Sequence, residues 1–503
     1  MDRQDYAPSE STMKHSGCGR HEKKGTYVSK MITELLTVSF LLSLVGCASV
    51  GPDYEPPSNT VPNVWHTELR LGLSAETVYP KHLADWWTTL ADPVLTGIIE
   101  QALNRNLDLK QAMARVREAR ARRGITKAGQ FPTLNASGSA NRGKSSGGGA
   151  THNFFSVGFD AGWEVDIFGG VRRAVEAAEA DLDAGLEDLH DVLVSLTAEV
   201  ALNYLDVRTT QTRLAVAEKN IAIQQQTFDL IQARYQAGLS DELVLQQARY
   251  NLENTRAQIP VLRRGLEESK NQLALLTGGF PGSMHALLME TRPIPVIPPT
   301  VAIGVPAETL RQRPDIRRAE RNLAAQTARI GAATADLYPK FRLTGSIGLE
   351  SLKSSDLFKS TSESWSLGPS VSWNIFNGGA IRQNIEVQSA VQQQYLLAYE
   401  AAVLGALEEV ENALTAYAEE QLHRKQLAAA VDAASQAEVL ARIQFNAGLV
   451  DFTTVLDAQR TLLSFEDQLT QSDGTVTSNL IRLYKALGGG WNSAASRQNP
   501  EMG

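Results

Sequence analysis

Gly138-Ser-Ala-Asn-Arg-Gly143-Lys144-Ser145 satisfies the phosphate-loop pattern G-x-x-x-x-G-K-[ST] in full. Such a loop works when a helix begins at the Lys/Ser and directs its amides at the phosphate. Here Ser146-Gly147-Gly148-Gly149 follows, a poor way to start a helix. No apolar strand ending in a magnesium-binding Asp is placed to partner it. The stretch reads instead as a mobile loop between two strands. The histidines are His15, His21, His66, His82, His152, His190, His285 and His423. No pair has helical ligand spacing and none neighbours a cysteine, so no metal site is expected. His190 and His423 are expected on solvated helix faces. Glu267-Glu268 and Glu408-Glu409 read as exposed helix surface rather than catalytic dyads. No enzymatic chemistry, catalytic residue or cofactor is expected.

Cysteine chemistry is confined to Cys18 and Cys47, too few for a disulfide framework or a four-thiolate metal site. Cys47 follows Leu44-Val45-Gly46 at the end of the apolar run Leu35–Val45, and looks like a bacterial lipobox. That likeness implies a covalent lipid on Cys47 and removal of residues 1–46. Lys23, Lys24 and Lys30 form the basic region, and Glu34 interrupts the start of the apolar run. A start at Met13 would give a more ordinary signal. The run is too short for a spanning helix. Residues 1–46 carry six basic and five acidic groups, so a net charge of −8 becomes −9 in the mature chain. A negative balance argues against nucleic-acid partners. By resemblance to lipoprotein sorting, Ala48 favours the outer membrane.

The elements that would position any site form two half-copies. Arg234-Tyr-Gln-Ala237-Gly238-Leu-Ser-Asp241 and Gln444-Phe-Asn-Ala447-Gly448-Leu-Val-Asp451 each break a long helical pattern, and 448 − 238 gives an offset of 210. Leu245, Leu252, Ile259, Leu266 and Leu273 recur every seven residues after the first tip. Val455, Leu462, Leu469, Val476 and Leu483 repeat them after the second. A sustained seven-residue period predicts left-handed coiled packing. Gln459, Glu466 and Asp473 at partner positions fit a wall of helices, wet on one side. The helical pattern before each tip spans about 65 residues, or roughly 100 Å, which no single compact core accommodates. Aromatics are only 7%, a composition that suits extended helices. Pro260 should kink its helix.

Between the helical patterns the period changes to two. Leu134–Ala140 and Phe155–Ile167 alternate, as do Leu343–Leu349 and Trp365–Ile375. Strands are expected at about 133–143, 154–167, 341–352 and 364–376, with loops at 143–153 and 353–363. Each strand has roughly the length a tilted membrane strand needs. Trp163, Trp365 and Trp373 suit a lipid-interface girdle. Phe131-Pro132 and Tyr338-Pro339 precede the strand pairs, and Gly169-Gly170 and Gly378-Gly379 follow them. One helix is expected from Val94 to about Lys127. The expected organisation is a signal peptide at 1–46, a lipidated arm and equatorial segment at 47–92, a first repeat at 93–290, an extended Pro-rich linker at 291–306, a second repeat at 307–490 and a disordered tail at 491–503. The expected fold class is mainly α with a membrane β-barrel, a long coiled helical tunnel with four strands per protomer, and a two-fold internal repeat.

In this order, Val50-Gly-Pro-Asp-Tyr54, Trp163-Glu-Val-Asp-Ile-Phe-Gly169, Arg313-Pro-Asp315, Trp373-Asn-Ile-Phe-Asn-Gly-Gly379 and the two Ala-Gly-Leu-x-Asp tips resemble the TolC-type outer-membrane efflux protein family, on its OprM- and NodT-like lipoprotein branch. The resemblance covers Cys47 to about Gly490. It implies a homotrimer with a shared twelve-stranded barrel, a periplasmic helical tunnel, and passive conduction for a periplasmic membrane-fusion adaptor and an inner-membrane efflux pump. It implies docking of the adaptor at Arg234, Ala237, Gly238, Asp241, Gln444, Ala447, Gly448 and Asp451. It also implies a periplasmic gate. Asp457 matches one of the family's constricting aspartates, whereas the other position holds Thr454. The rival readings are a non-conducting coiled-coil adaptor and, third, a nucleotide-dependent enzyme resting on Gly138–Ser145. Seven methionines without a cluster give no hint of a copper route.

Overall fold

The computed structural model describes residues 49–58, 61–76, 80–144, 150–295 and 300–491. Cys47 and the tail after Trp491 lie outside them, as does Ser145. The first half contains α1 (Pro93–Arg105), α2 (Leu107–Ala128), β1 (Thr133–Lys144), β2 (Thr151–Val165), α3 (Gly170–Gln236) and α4 (Glu242–Leu276). The second contains α5 (Pro314–Ala335), β3 (Lys340–Ser351), β4 (Glu363–Ser372), α6 (Ala380–Asn446) and α7 (Phe452–Ala486).

The expected single helix over 94–127 is two helices. Asp92 caps α1 by accepting from the amides of Val94 and Leu95 (2.9 and 3.2 Å). The chain then turns at Asn106, whose side chain accepts from Leu109 N (2.9 Å) and donates to Leu276 O (2.9 Å). One buried asparagine thus caps the start of α2 and the end of α4, which meet end to end. The equivalent joint in the second half uses Arg313. Its Nη1 donates to Ala486 O (2.6 Å) and its Nη2 to Glu409 Oε2 (2.7 Å) and Asp315 Oδ2 (2.8 Å). Short helices of 22 and 35 residues are therefore stacked alongside the 67-residue α3 and α6. At 1.5 Å per residue each long helix extends about 100 Å.

The core lies where these joints cluster. Trp86 is fully buried and stacks on Tyr484 (5.4 Å, 18°). Leu95, Ile98, Ile99, Leu273, Leu480 and Leu483 pack around it. Tyr204 Oη donates to Asp92 Oδ2 (2.6 Å), and buried Arg208 donates to Tyr204 Oη, Gln211 Oε1 and Glu290 O (2.9, 2.8 and 2.7 Å). Among the heptad positions Leu252, Ile259, Leu273, Val455, Leu462, Val476 and Leu483 are buried, whereas Leu245 and Leu266 are half-buried. α4 stays helical through Pro260.

Three other expectations are corrected. His190 is buried, not solvated: Nδ1 is 3.1 Å from Glu187 Oε2 and the ring stacks on Trp491 (4.2 Å, 21°). Arg317 lies over the other ring of that stack and pairs with Glu187 (2.7 Å). His423 is exposed, as expected. β4 stops at Ser372, so Trp373 and Ile375 lie beyond the strand. The linker is not wholly extended: Val301-Ala302 pairs in parallel with Leu73-Ser74, and a short helix spans Pro306–Gln312.

Replacing Arg313 by Ala should remove about 3 kcal/mol from the stability of the helical domain, because two carboxylates and a carbonyl lose their shared partner. Thermal unfolding followed by far-UV circular dichroism would read it. Burial pushes the Asp315 carboxyl up, but the hydrogen bond and charge of Arg313 outweigh this and hold it below its ordinary value. Its contribution is complete above about pH 4 and is lost as pH falls through the lowered value. Acid should therefore weaken the wild-type joint more than that of R313A.

Candidate functional site

The four strands form one antiparallel sheet in the order β1-β2-β3-β4. Register puts Ala136, Phe159, Ile347 and Trp365 in one row, and Leu134, Ala161, Gly345 and Leu367 in the next. These residues, with Val157, Leu343 and Val371, share one face, and Trp365, Leu367 and Ile347 are strongly exposed on it. The opposite face carries Ser137, Ser139, Asp160, Ser346 and Ser366. There Ser137 Oγ donates to Asp160 Oδ2 (3.0 Å), and Ser139 pairs with Ser156 (2.9 Å) and Ser346 with Ser366 (2.8 Å). Apolar outside and hydrogen-bonded polar inside is the pattern of a strand wall between lipid and water. Trp163 Nε1 donates to Gln130 O and Trp373 Nε1 to Leu337 O, each at 3.0 Å. The two indoles hold the same place in the two halves, against the carbonyls before Pro132 and Pro339.

The phosphate-loop match dissolves into this sheet. Gly138 to Lys144 are strand, with Gly143 opposite His152 and Lys144 opposite Thr151. A strand aims its amides at its neighbour, not at a phosphate.

At the other end of the long helices the structure brings the two tips together. Gly238 (φ 72°) and Gly448 (φ 75°) take the left-handed conformation. Leu239 N then donates to Arg234 O (2.8 Å) and Leu449 N to Gln444 O (2.9 Å), closing both helices identically. Ala237 and Ala447 donate back to Ala233 and Ile443 (3.1 Å each). Asp241 and Asp451 precede the returning helices with no side-chain cap. The tips touch: Arg234 lies over the Phe445 ring (5.1 Å) and Phe445 packs on Phe452 (5.4 Å). Ile231, Ala248, Ala441, Phe452, Val455 and Leu456 form a separate small core beneath them. Leu239 and Leu449 project outward, each 74% exposed.

Thr454 and Asp457 lie on the exposed side of α7, flanking the buried Val455-Leu456 pair. Sequence reasoning missed their neighbour Arg460. Its Nε donates to Asn251 Oδ1 (2.9 Å) and its guanidinium lies over the Tyr250 ring (4.9 Å), tying α7 to α4. The repeat offset was the available signal, since 460 − 210 = 250 pairs Arg460 with Tyr250 itself. Beside it, buried Gln224 has neither amide atom paired within the chain, and Gln459 donates to Thr227 Oγ1 (3.2 Å) but leaves its Oε1 unpaired. Unsatisfied buried polar groups lower the cost of moving such a seam.

A sheet apolar on one face and polar on the other at one end, and two paired helical tips at the other, fit one segment of a conduit wall. The family profile for outer membrane efflux proteins matches residues 98–279 and 305–489. The chain belongs to the outer membrane efflux protein family. It is 32% identical over 462 residues to the cation efflux system protein CusC of Escherichia coli O6:H1, covering 91% of this chain and 99% of that protein. It is likewise 32% identical to nodulation protein T of Rhizobium leguminosarum bv. trifolii, covering 92% of this chain and 98% of that one. Among solved structures, the outer-membrane channel OprN superposes with a TM-score of 0.84 at 34% identity, over 88% of this chain and all of OprN. The chain is thus an outer-membrane channel of efflux systems, non-enzymatic, and neither the adaptor nor the nucleotide-dependent reading survives.

Phe452→Ala should empty the middle of the small core and weaken the tips by about 3 kcal/mol. Amide exchange should rise over 440–458 and 228–248 while the strand-proximal ends of α3 and α6 stay protected.

Proposed function

We propose that three copies of this chain form a closed conduit that passes substrates from an inner-membrane pump and a periplasmic adaptor to the exterior. The observation that carries this reading is the sheet with two open edges. β1 and β4 each pair on one side only, and unpaired backbone is not tolerated in lipid. Three chains of four strands supply twelve, enough to close around an aqueous lumen. The helices support the same assembly. α5 packs extensively against both α3 and α6, whereas among the described residues its repeat counterpart α2 packs along its length only against α3. The missing neighbour of α2 is the α6 of another copy, whose Val387, Leu397 and Leu404 are exposed.

Cys47 would carry the lipid. Ser49 lies against Gly169 at the strand-to-helix junction, and two residues reach at most about 7 Å further. The anchor would thus sit where the barrel meets the periplasm. Two tips ending in the same glycine turn and the same outward leucine are the proposed adaptor contacts, with Arg234, Ala237, Gly238 and Asp241 on one and Gln444, Ala447, Gly448 and Asp451 on the other. Asp457, with Thr454 beside it, would ring the entrance and favour cations. The Arg460–Asn251 contact would hold that entrance narrow. Substrate choice would lie with the pump.

Native mass spectrometry of the detergent-extracted protein should give three subunits, each carrying acyl mass. A monomer that still floats with outer membranes would sink the assembly. In planar bilayers R460A should raise basal conductance several-fold. N251D should lower it, since a charge-assisted contact is stronger than a neutral one. D457A should reduce cation preference with little change in single-channel size; unchanged ion selectivity would remove Asp457 from the entrance.

A further inference from the structure

The first residues of the arm are held in a slot where β2 passes into α3. Val50 N donates to Phe168 O (3.1 Å). Arg173, its side chain 4% exposed, donates from Nε to Val50 O (3.2 Å), and from Nη2 to Gly51 O (3.4 Å) and Asp53 Oδ1 (2.6 Å). Its Nη1 donates to Glu176 Oε2 (2.8 Å). Gly51 has φ 88°, and a Cβ there would lie 2.4 Å from Gly331 Cα on α5. A Cβ on Gly169 would lie 2.6 Å from Ser49 Oγ. Further along the arm, Tyr54 Oη donates to Glu320 Oε1 (3.2 Å) and Arg321 lies over its ring (5.6 Å).

The repeat duplicates the glycines of this junction but not its packing. Gly379 is the counterpart of Gly169 (379 − 169 = 210). Gly124 is the counterpart of Gly331, by the offset 339 − 132 = 207 that relates the two prolines. A Cβ on either would meet nothing within 4 Å, and the α2 and α6 ends that carry them make no extensive contact within the chain, so no arm is held between them. The arginine is not duplicated: 173 + 210 is Gln383. A glutamine has two donors and no charge, and cannot hold two carbonyls and two carboxylates at once.

We propose that Arg173 makes the first junction, and not its repeat counterpart, the docking slot for the mature N-terminus. This docking, rather than the acyl chains alone, sets the height of the lipid anchor against the barrel. The inference rests on the acylation of Cys47 proposed above. The partner that the slot serves is the inner leaflet of the outer membrane. With the arm docked, the acyl chains begin within about 7 Å of the junction. With residues 49–58 released, the same anchor could move by as much as ~30 Å.

Two variants of the full-length, membrane-extracted protein test it. R173Q reproduces the residue at 383. Gly51→Val changes only the arm, so it leaves the helical bundle intact. Hydrogen exchange of the peptide covering 48–54 should speed up roughly tenfold or more in both, as expected for loss of hydrogen bonds to a charged group, with α3 and α5 unchanged. The mass of the N-terminal peptide reports acylation in the same spectra. An unmodified Cys47 would sink the anchoring reading while still testing the slot. An acylated chain whose 48–54 protection persists in both variants would overturn the slot. Height is read separately from Glu55→Cys, the sole free thiol once residues 1–46 are removed and Cys47 is acylated. A fluorophore there should be quenched at one depth by headgroup-nitroxide lipids in the parent and over a broadened range in R173Q. An unchanged quenching profile would overturn the claim on height.

Discussion

A strand edge cannot face hydrocarbon with its amides and carbonyls unpaired, and this chain has two such edges. β1 and β4 border a sheet that is apolar on one face and polar on the other, so it is already a piece of wall. In the trimer proposed above, the rest of the architecture follows from making the wall close. The strands enter and leave through the same short segments, Pro132 and Pro339 on one side and Gly169 and Gly379 on the other. The helices continue away from the sheet, and in the proposed assembly they would need to be about as long as the tube they line. α3 and α6 meet that requirement in one piece. The neighbouring rows meet it with two shorter helices, joined through Asn106 in one half and Arg313 in the other.

Duplication provides the wall, and departures from duplication change charge or bonding at single positions along it. Tyr250 and Arg460 occupy equivalent positions, yet they stack on each other, and Arg460 also bonds Asn251. Asp457 stands where the first half has Gln247. Arg173 stands where the second half has Gln383, and only the arginine carries an arm. Each difference adds or removes a charge or a multi-donor side chain at one position of the repeat. The interaction energy it changes is therefore local. The tips show the converse. Their glycine turns are alike to within a few degrees of φ, and both present a leucine at the same exposure.

Much of this was legible in the sequence because it rests on period and punctuation. A switch from seven-residue to two-residue periodicity fixes which segments are helix and which are strand. Glycines repeating at an offset of 210 and prolines at 207 fix where the switch occurs. The motifs then place the chain in its family. Local rules failed where a side chain's partner is far away in sequence. Asn106 breaks the expected first helix because it can reach Leu276. His190 is buried because Trp491 and Glu187 enclose it. β4 ends at Ser372 although alternation continues to Ile375, because its partner β3 begins at Lys340 and offers nothing further to pair with. The sequence by itself determined the repeat, the alternation of helix and sheet, and the sign of each face, since these are properties of neighbours along the chain. Only the tertiary structure decided which tip residues meet, which arginine holds the arm and which helices pack along one another. Those depend on how two rods about 100 Å long are set side by side, and periodicity carries no record of that.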